Sequence, residues 1–158
     1  MKQADADGAD VRFPPPIIYA AGLGIGFLAS RVWNLPGLGI PAFLREILSC
    51  VSLAAGTAVS AAGVGSFVTR RTAIIPYKPA STLVTTGIYR WTRNPMYLGL
   101  AMVYAGLALL MNSLAALVLL VFVVTIVQLK VIAREEQYLE RAFGAAYIAY
   151  RRNVRRWI

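Results

Sequence analysis

The chain has 158 residues, 58% of them apolar and only 15% charged, with a mean hydropathy of +0.62 and a formal net charge of +9. So apolar a composition excludes an ordinary soluble globular domain and points to the bilayer. Histidine is absent and there is one cysteine, Cys50. An intrachain disulfide is therefore excluded, and the usual neutral-pH general base and the commonest zinc ligand are missing, so no metal site is expected.

Residues 1–16, MKQADADGADVRFPPP, are polar and acidic, unlike the basic start of a signal peptide, and read as a short tail. The apolar runs IIYAAGLGIGFLASRVW (17–33) and FLREILSCVSLAAGTAVSAAGVGSFV (43–68) follow, giving an expected pair of transmembrane helices over 17–68. The second run holds Ala54, Ala55, Gly56, Ser60, Ala61, Gly63 and Gly65, small residues that let helix backbones approach closely in lipid. Cys50, inside the same run, is expected to be a small buried apolar residue.

Residues 69–94 contain Arg70, Arg71, Lys78, Arg90 and Arg93 and no acid. The third run, PMYLGLAMVYAGLALLM (95–111), starts on Pro95, which suits the first turn of a helix, and sits at the lower length limit for a span. Asn112-Ser113 reads as a tight turn into the fourth run, SLAALVLLVFVVTIVQLKVIA (113–133), making helices three and four an antiparallel hairpin. In the last 25 residues Tyr138, Leu139, Ala142, Phe143, Tyr147 and Tyr150 recur at helical spacing, interrupted by Gly144. This predicts an amphipathic C-terminal helix in the head-group layer, anchored by Trp157 and Ile158.

The fold class expected is thus all-α, an integral membrane protein with about four transmembrane helices. The loop NLPGLGIPA and the 112–113 turn carry no charge, whereas 69–94 and the tail from Lys130 are strongly basic. The positive-inside rule places those basic segments and both termini in the cytoplasm, where they meet anionic head groups. A nucleic-acid partner is not expected.

Two polar elements meet at that face: GIYRWTRNPMYLG (87–99), which leads into helix three, and KVIAREEQYLERAFG (130–144), which leaves helix four. Glu135 and Glu136 follow an apolar span, where a carboxylate is costly without a partner cation. A salt bridge to Arg90 or Arg93 accounts for the pair structurally, and an interfacial belt accounts for Tyr89, Trp91 and Tyr97.

LVTTGIYRWTRNPMYLG followed, after a hairpin, by EEQYLERAFGAAYIAYRRNVRRWI resembles the isoprenylcysteine carboxyl methyltransferase and phospholipid methyltransferase family of integral membrane enzymes. The matching positions are Gly87, Tyr89, Arg93, Asn94, Pro95, Tyr97 and Gly99, then Glu135, Glu136, Leu139, Phe143, Gly144, Tyr147 and Tyr150. They make residues 69–158 the expected methyltransferase core. The resemblance implies S-adenosylmethionine in a cytoplasm-facing pocket and a lipophilic methyl acceptor that enters from the bilayer. It implies cofactor contacts at Leu83, Val84, Gly87, Tyr89, Asn94, Pro95, Met96, Tyr97, Glu135 and Glu136, with Arg93, Asn94 and Glu135 as catalytic residues.

The chemistry of those residue types agrees. A carboxylate holds an ammonium by a charge-assisted bond, unpaired N–H groups at a helix start take acceptors, and tyrosine faces suit adenine and a sulfonium. Methyl transfer from a sulfonium needs alignment and exclusion of water rather than a metal or covalent nucleophile. Two departures concern the acceptor. Asn94 and Ser81 stand where many prenylcysteine enzymes have histidine, and Val131 stands where they have the arginine that handles the substrate carboxylate. A prenylcysteine carboxylate, a phospholipid amine and a small thiol all stay open. Membrane sterol reductases, which use NADPH, share a similar stretch, but Glu135-Glu136 is unfavourable beside phosphates. A non-enzymatic membrane scaffold is the third reading.

Overall fold

The computed structural model describes residues 14–69 and 82–158. Expectations resting on residues 1–13, Arg70, Arg71, Lys78 and Ser81 lie outside the described residues. The described chain is all-helical. Helix α1 (Pro15–Val32) starts on its prolines, and α2 (Ala42–Thr69) follows a short loop. A 3-10 turn (Gly87–Arg90) precedes α3 (Pro95–Leu110). Helix α4 (Leu114–Val127) passes through a π-turn at Gln128–Ile132 directly into α5 (Ala133–Phe143), and α6 (Ala145–Asn153) comes last. The expected amphipathic segment is therefore two helices, α5 and α6, broken at Gly144, whose φ is 51°.

Among the described residues, three helices are long and apolar enough to cross a membrane: Pro15–Val32, Ala42–Thr69 and Leu114–Phe143. Helix α3 is shorter, with 16 residues, a rise of about 24 Å against a hydrocarbon core of roughly 30 Å.

Helix α2 packs along α3, and α1 along α4. Small residues permit both contacts. A Cβ on Gly26 would lie 2.5 Å from Ala116 Cα, and one on Gly56 would lie 2.7 Å from the Gly99 carbonyl oxygen. Hydroxyls cross the same seam: Ser49 Oγ donates to the Gly106 carbonyl and Ser52 Oγ to that of Met102, each at 2.8 Å. The core lies where α1, α3 and α4 meet, around Tyr19, Tyr104, Ala116 and Val127. Tyr104 donates to the Ala116 carbonyl at 2.9 Å and meets Tyr19 edge to face.

The hairpin between α3 and α4 forms as expected. Asn112 adopts φ 51°, and Ser113 caps α4 by accepting from the Ala116 N–H at 3.1 Å. Ser30 Oγ and Ser113 Oγ lie 2.6 Å apart, and the Leu38 N–H donates to Asn112 Oδ1. Both short loops thus share one end of the bundle, leaving the segment that leads into α3 and the exit of α4 at the other. Large apolar side chains on the outer faces, such as Phe43, Val51 and Phe122, are exposed, as a lipid-facing surface requires. Cys50 corrects one expectation: it lies on that outer face and is exposed rather than buried. Buried places on this helix go instead to Ser49, Gly56 and Gly63, which face α3.

Candidate active site

The polar end is organised by the turn before α3. Gly87, at φ 64°, opens the 3-10 turn, and a left-handed φ favours glycine there. Tyr89, on that turn, is buried edge to face against Phe67 of α2, with ring centroids 5.5 Å apart. Its carbonyl accepts from the Tyr150 hydroxyl at 2.7 Å. Burial first, then the charges of Tyr150 and Glu135, hold the Tyr89 phenol above the ordinary tyrosine range. It therefore stays protonated at neutral pH and can act as a donor.

Across from it, the Tyr97 hydroxyl in the first turns of α3 donates to Glu135 Oε1 at 2.5 Å. Tyr19 of α1 donates to the Tyr97 carbonyl at 3.1 Å, fixing that turn from a third helix. Glu135 is half-buried. Among the described residues, no lysine or arginine lies within 4.0 Å of it.

Glu136 has the opposite surroundings. Arg156 binds it as a fork, Nε to Oε1 at 2.9 Å and Nη2 to Oε2 at 2.6 Å. Arg93 Nη1 adds a contact to Oε1 at 3.1 Å. Bidentate charge-assisted pairs of this kind are among the strongest polar contacts. The bond to Glu136 raises the Arg156 guanidinium above its usual range. Of the two arginines weighed from sequence, Arg93 forms the salt bridge, with Glu136, while Arg90 is exposed.

Arg93 also reaches the Tyr147 hydroxyl at 3.3 Å, and its Nε is buried without a hydrogen-bond partner. Asn94 is buried, its side-chain amide donating to the Arg156 carbonyl at 2.9 Å. Pro95 opens α3, and the first-turn N–H groups of Met96 and Tyr97 have no intrahelical acceptor, as in any helix.

The expected site residues fall on two sides of Tyr89. Tyr97, Arg93, Asn94, Glu135 and Glu136 gather between α3, α5 and the C-terminal tail. Gly87 and Met96 face α2: a Cβ on Gly87 would lie 3.3 Å from Ser66 Oγ, and one on Gly63 would lie 2.8 Å from Met96 Cγ. Leu83 is half-buried and Val84 buried just upstream. On that side a cavity of about 330 Å³ is lined by Ala62, Gly65, Ser66, Thr69 and Thr86. The sequence reading did not single out Arg156, Gln128 or Trp157 as site residues. The Trp157 indole N–H donates to Gln128 Oε1 at 2.8 Å, and its ring packs against the core. Within a run of arginines nothing in the sequence distinguishes Arg156.

The sequence profile of the phospholipid methyltransferase family matches residues 44–146, more than half of the chain. The chain belongs to the phospholipid methyltransferase family. The match spans α2 through α5 and so includes one of the two N-terminal helices that hydropathy alone had indicated. It contains the Tyr89, Tyr97 and Glu135 side chains described above. Over 72 residues, 46% of its length, the chain is 40% identical to protein-S-isoprenylcysteine O-methyltransferase of Saccharomyces cerevisiae, of which it covers 30%. It is also 47% identical over 64 residues to an uncharacterized protein of Haemophilus influenzae, covering 40% of this chain and 100% of that relative. This family member thus spans less than a third of the yeast enzyme. No solved structure matches it.

Proposed function

We propose that this chain is an S-adenosylmethionine-dependent membrane methyltransferase whose site faces the cytoplasm and whose acceptor is a lipophilic molecule from the bilayer. One observation carries the reading. Glu135 is a half-buried carboxylate held by Tyr97, with no cation from the described residues against it, at a bundle end otherwise rich in arginine. Such a group suits an incoming ammonium.

The residues fit the cofactor. Glu135 would hold the ammonium, the first turn of α3 offers N–H groups to an acceptor atom, and the rings of Tyr89 and Tyr97 suit adenine or a sulfonium. The cofactor supplies an activated methyl group on sulfur, so the chain's task is to bind, align and exclude water. Tyr19 and Tyr150 serve alignment, fixing the backbone at Tyr97 and Tyr89. Arg93 braces the exit of α4 against α6 through Glu136 and Tyr147.

An uncharged nucleophile, a lipid amine or a thiol, is favoured over a prenylcysteine carboxylate. Both arginines that reach the acidic pair are taken up by Glu136. One turn before Glu135 stands Val131, 2% exposed, while Lys130 and Arg134 lie exposed on other faces. The cytoplasmic orientation rests on the basic side chains at this end, among them Arg90, Lys130, Arg141, Arg152 and Arg155, all exposed and suited to anionic lipid.

Calorimetric titration of the detergent-solubilised protein with S-adenosylhomocysteine, beside NADPH, tests the reading. Saturable binding of the first alone supports it. Binding of NADPH alone would make the chain a reductase, and silence with both from a folded sample would leave a scaffold.

A further inference from the structure

The segment after α6 lies beyond the family match, which ends at residue 146, and holds the acidic site together from outside. Its main chain runs beside residues 92–94. The Arg93 N–H donates to the Arg155 carbonyl at 3.0 Å, and the Arg156 carbonyl accepts from Thr92 Oγ1 at 3.2 Å and Asn94 Nδ2 at 2.9 Å. The Arg156 side chain reaches across to α5 and takes both oxygens of Glu136. Trp157 then ties the tail to the π-turn through Gln128. One residue therefore links the segment leading into α3 with the helix that carries both glutamates.

We propose that Arg156 is a positioning residue for the cofactor site: its guanidinium occupies Glu136 and its carbonyl holds Thr92 and Asn94, so that Glu135 alone of the acidic pair is presented to the ligand. This rests on the cofactor reading above. Adjacent carboxylates on a helix are chemically alike, and their surroundings divide the work between them. Both oxygens of Glu136 are bound by arginine, whereas Glu135 keeps one oxygen that no described group binds. The tail also fixes the spacing between the start of α3 and α5, across which the Tyr97–Glu135 bond must form.

The test compares R156Q, R156K and E136Q/R156Q with wild type in the full chain. It uses S-adenosylhomocysteine titration, thermal unfolding, and amide hydrogen exchange of residues 93–97 without ligand. R156Q is expected to weaken S-adenosylhomocysteine about tenfold, the loss for a charge-assisted hydrogen bond, and to speed exchange at 93–97 while the rest of the bundle keeps its protection. R156K, which keeps the charge but loses the fork, should fall between R156Q and wild type. R156Q keeps the Glu136–Arg93 pair and should fold, whereas E136Q/R156Q also strands Arg93, only 10% exposed, so it should melt lower than R156Q and still exchange faster at 93–97. Unchanged exchange there in both R156Q and E136Q/R156Q overturns the proposal. So does R156Q affinity within about twofold of wild type, under half a kcal/mol. If wild type itself fails to bind, the cofactor reading falls, and the exchange comparison alone then decides whether the tail positions residues 93–97.

Discussion

The Tyr97 hydroxyl donates to Glu135 Oε1 at 2.5 Å, tying the start of α3 to the helix that leaves α4. Nothing else described binds that carboxylate, so the phenol sets its direction. Tyr97→Phe keeps the ring and removes the bond. It should weaken S-adenosylhomocysteine by about 1.5 kcal/mol, roughly tenfold, since hydrogen bonds to charged groups are worth that or more. The unfolding midpoint should move little, and calorimetry beside a thermal melt separates the two effects.

The two glutamates should differ in what they do for the fold. Removing the Glu136 carboxylate leaves Arg93 and Arg156 facing each other, and Arg93 is only 10% exposed. Glu136→Ala should destabilise the protein by about 2–3 kcal/mol, because breaking one side of a largely buried pair strands the other charges. Glu135→Gln, which strands none, should cost under about 1 kcal/mol. Denaturation in detergent compares them.

Helix contact predicts a contrast among glycines. A Cβ at Gly26 would lie 2.5 Å from Ala116 Cα, main chain that cannot yield without moving α1 off α4, whereas one at Gly24 meets nothing within 4 Å. Gly26→Ala should cost about 1–3 kcal/mol from overpacking, and Gly24→Ala less than about 0.5 kcal/mol. Thermal midpoints of the two variants check this.

Ser60 gives the opposite sign. Its hydroxyl is buried in the α2–α3 seam with no hydrogen-bond partner, pressed against Gly99. Burying a hydroxyl without a partner costs free energy, so Ser60→Ala should be neutral or stabilise by up to about 1 kcal/mol. A lower unfolding midpoint in that variant would contradict the packing described.

Much of the frame was legible in the sequence because its signals are local. Pro95 marked the start of α3, Asn112-Ser113 the hairpin turn, and the small residues of α2 a close helix contact, although of these Gly56 and Gly63 face α3 while Ala54, Ala61 and Gly65 are exposed. The π-turn at Gln128–Ile132 was not legible, since it continues a helical run with no Gly or Pro to announce it. Such turns often mark functional sites, and this one comes just before Glu135. Cys50 was misplaced because small and apolar residues lie on both the lipid-facing and the packed side of α2, so its sequence does not tell the two faces apart. The division between Glu135 and Glu136 was also hidden. It depends on Arg156, twenty residues away in sequence and one of several arginines in the tail.

The central claim is that Glu135 binds the cofactor while its neighbour serves the scaffold. S-adenosylhomocysteine titration of Glu135→Gln against wild type tests it most directly, with thermal unfolding confirming that both are folded. The account predicts affinity lower by about 1.5–3 kcal/mol at nearly unchanged stability. Undiminished binding by a folded Glu135→Gln variant would contradict it.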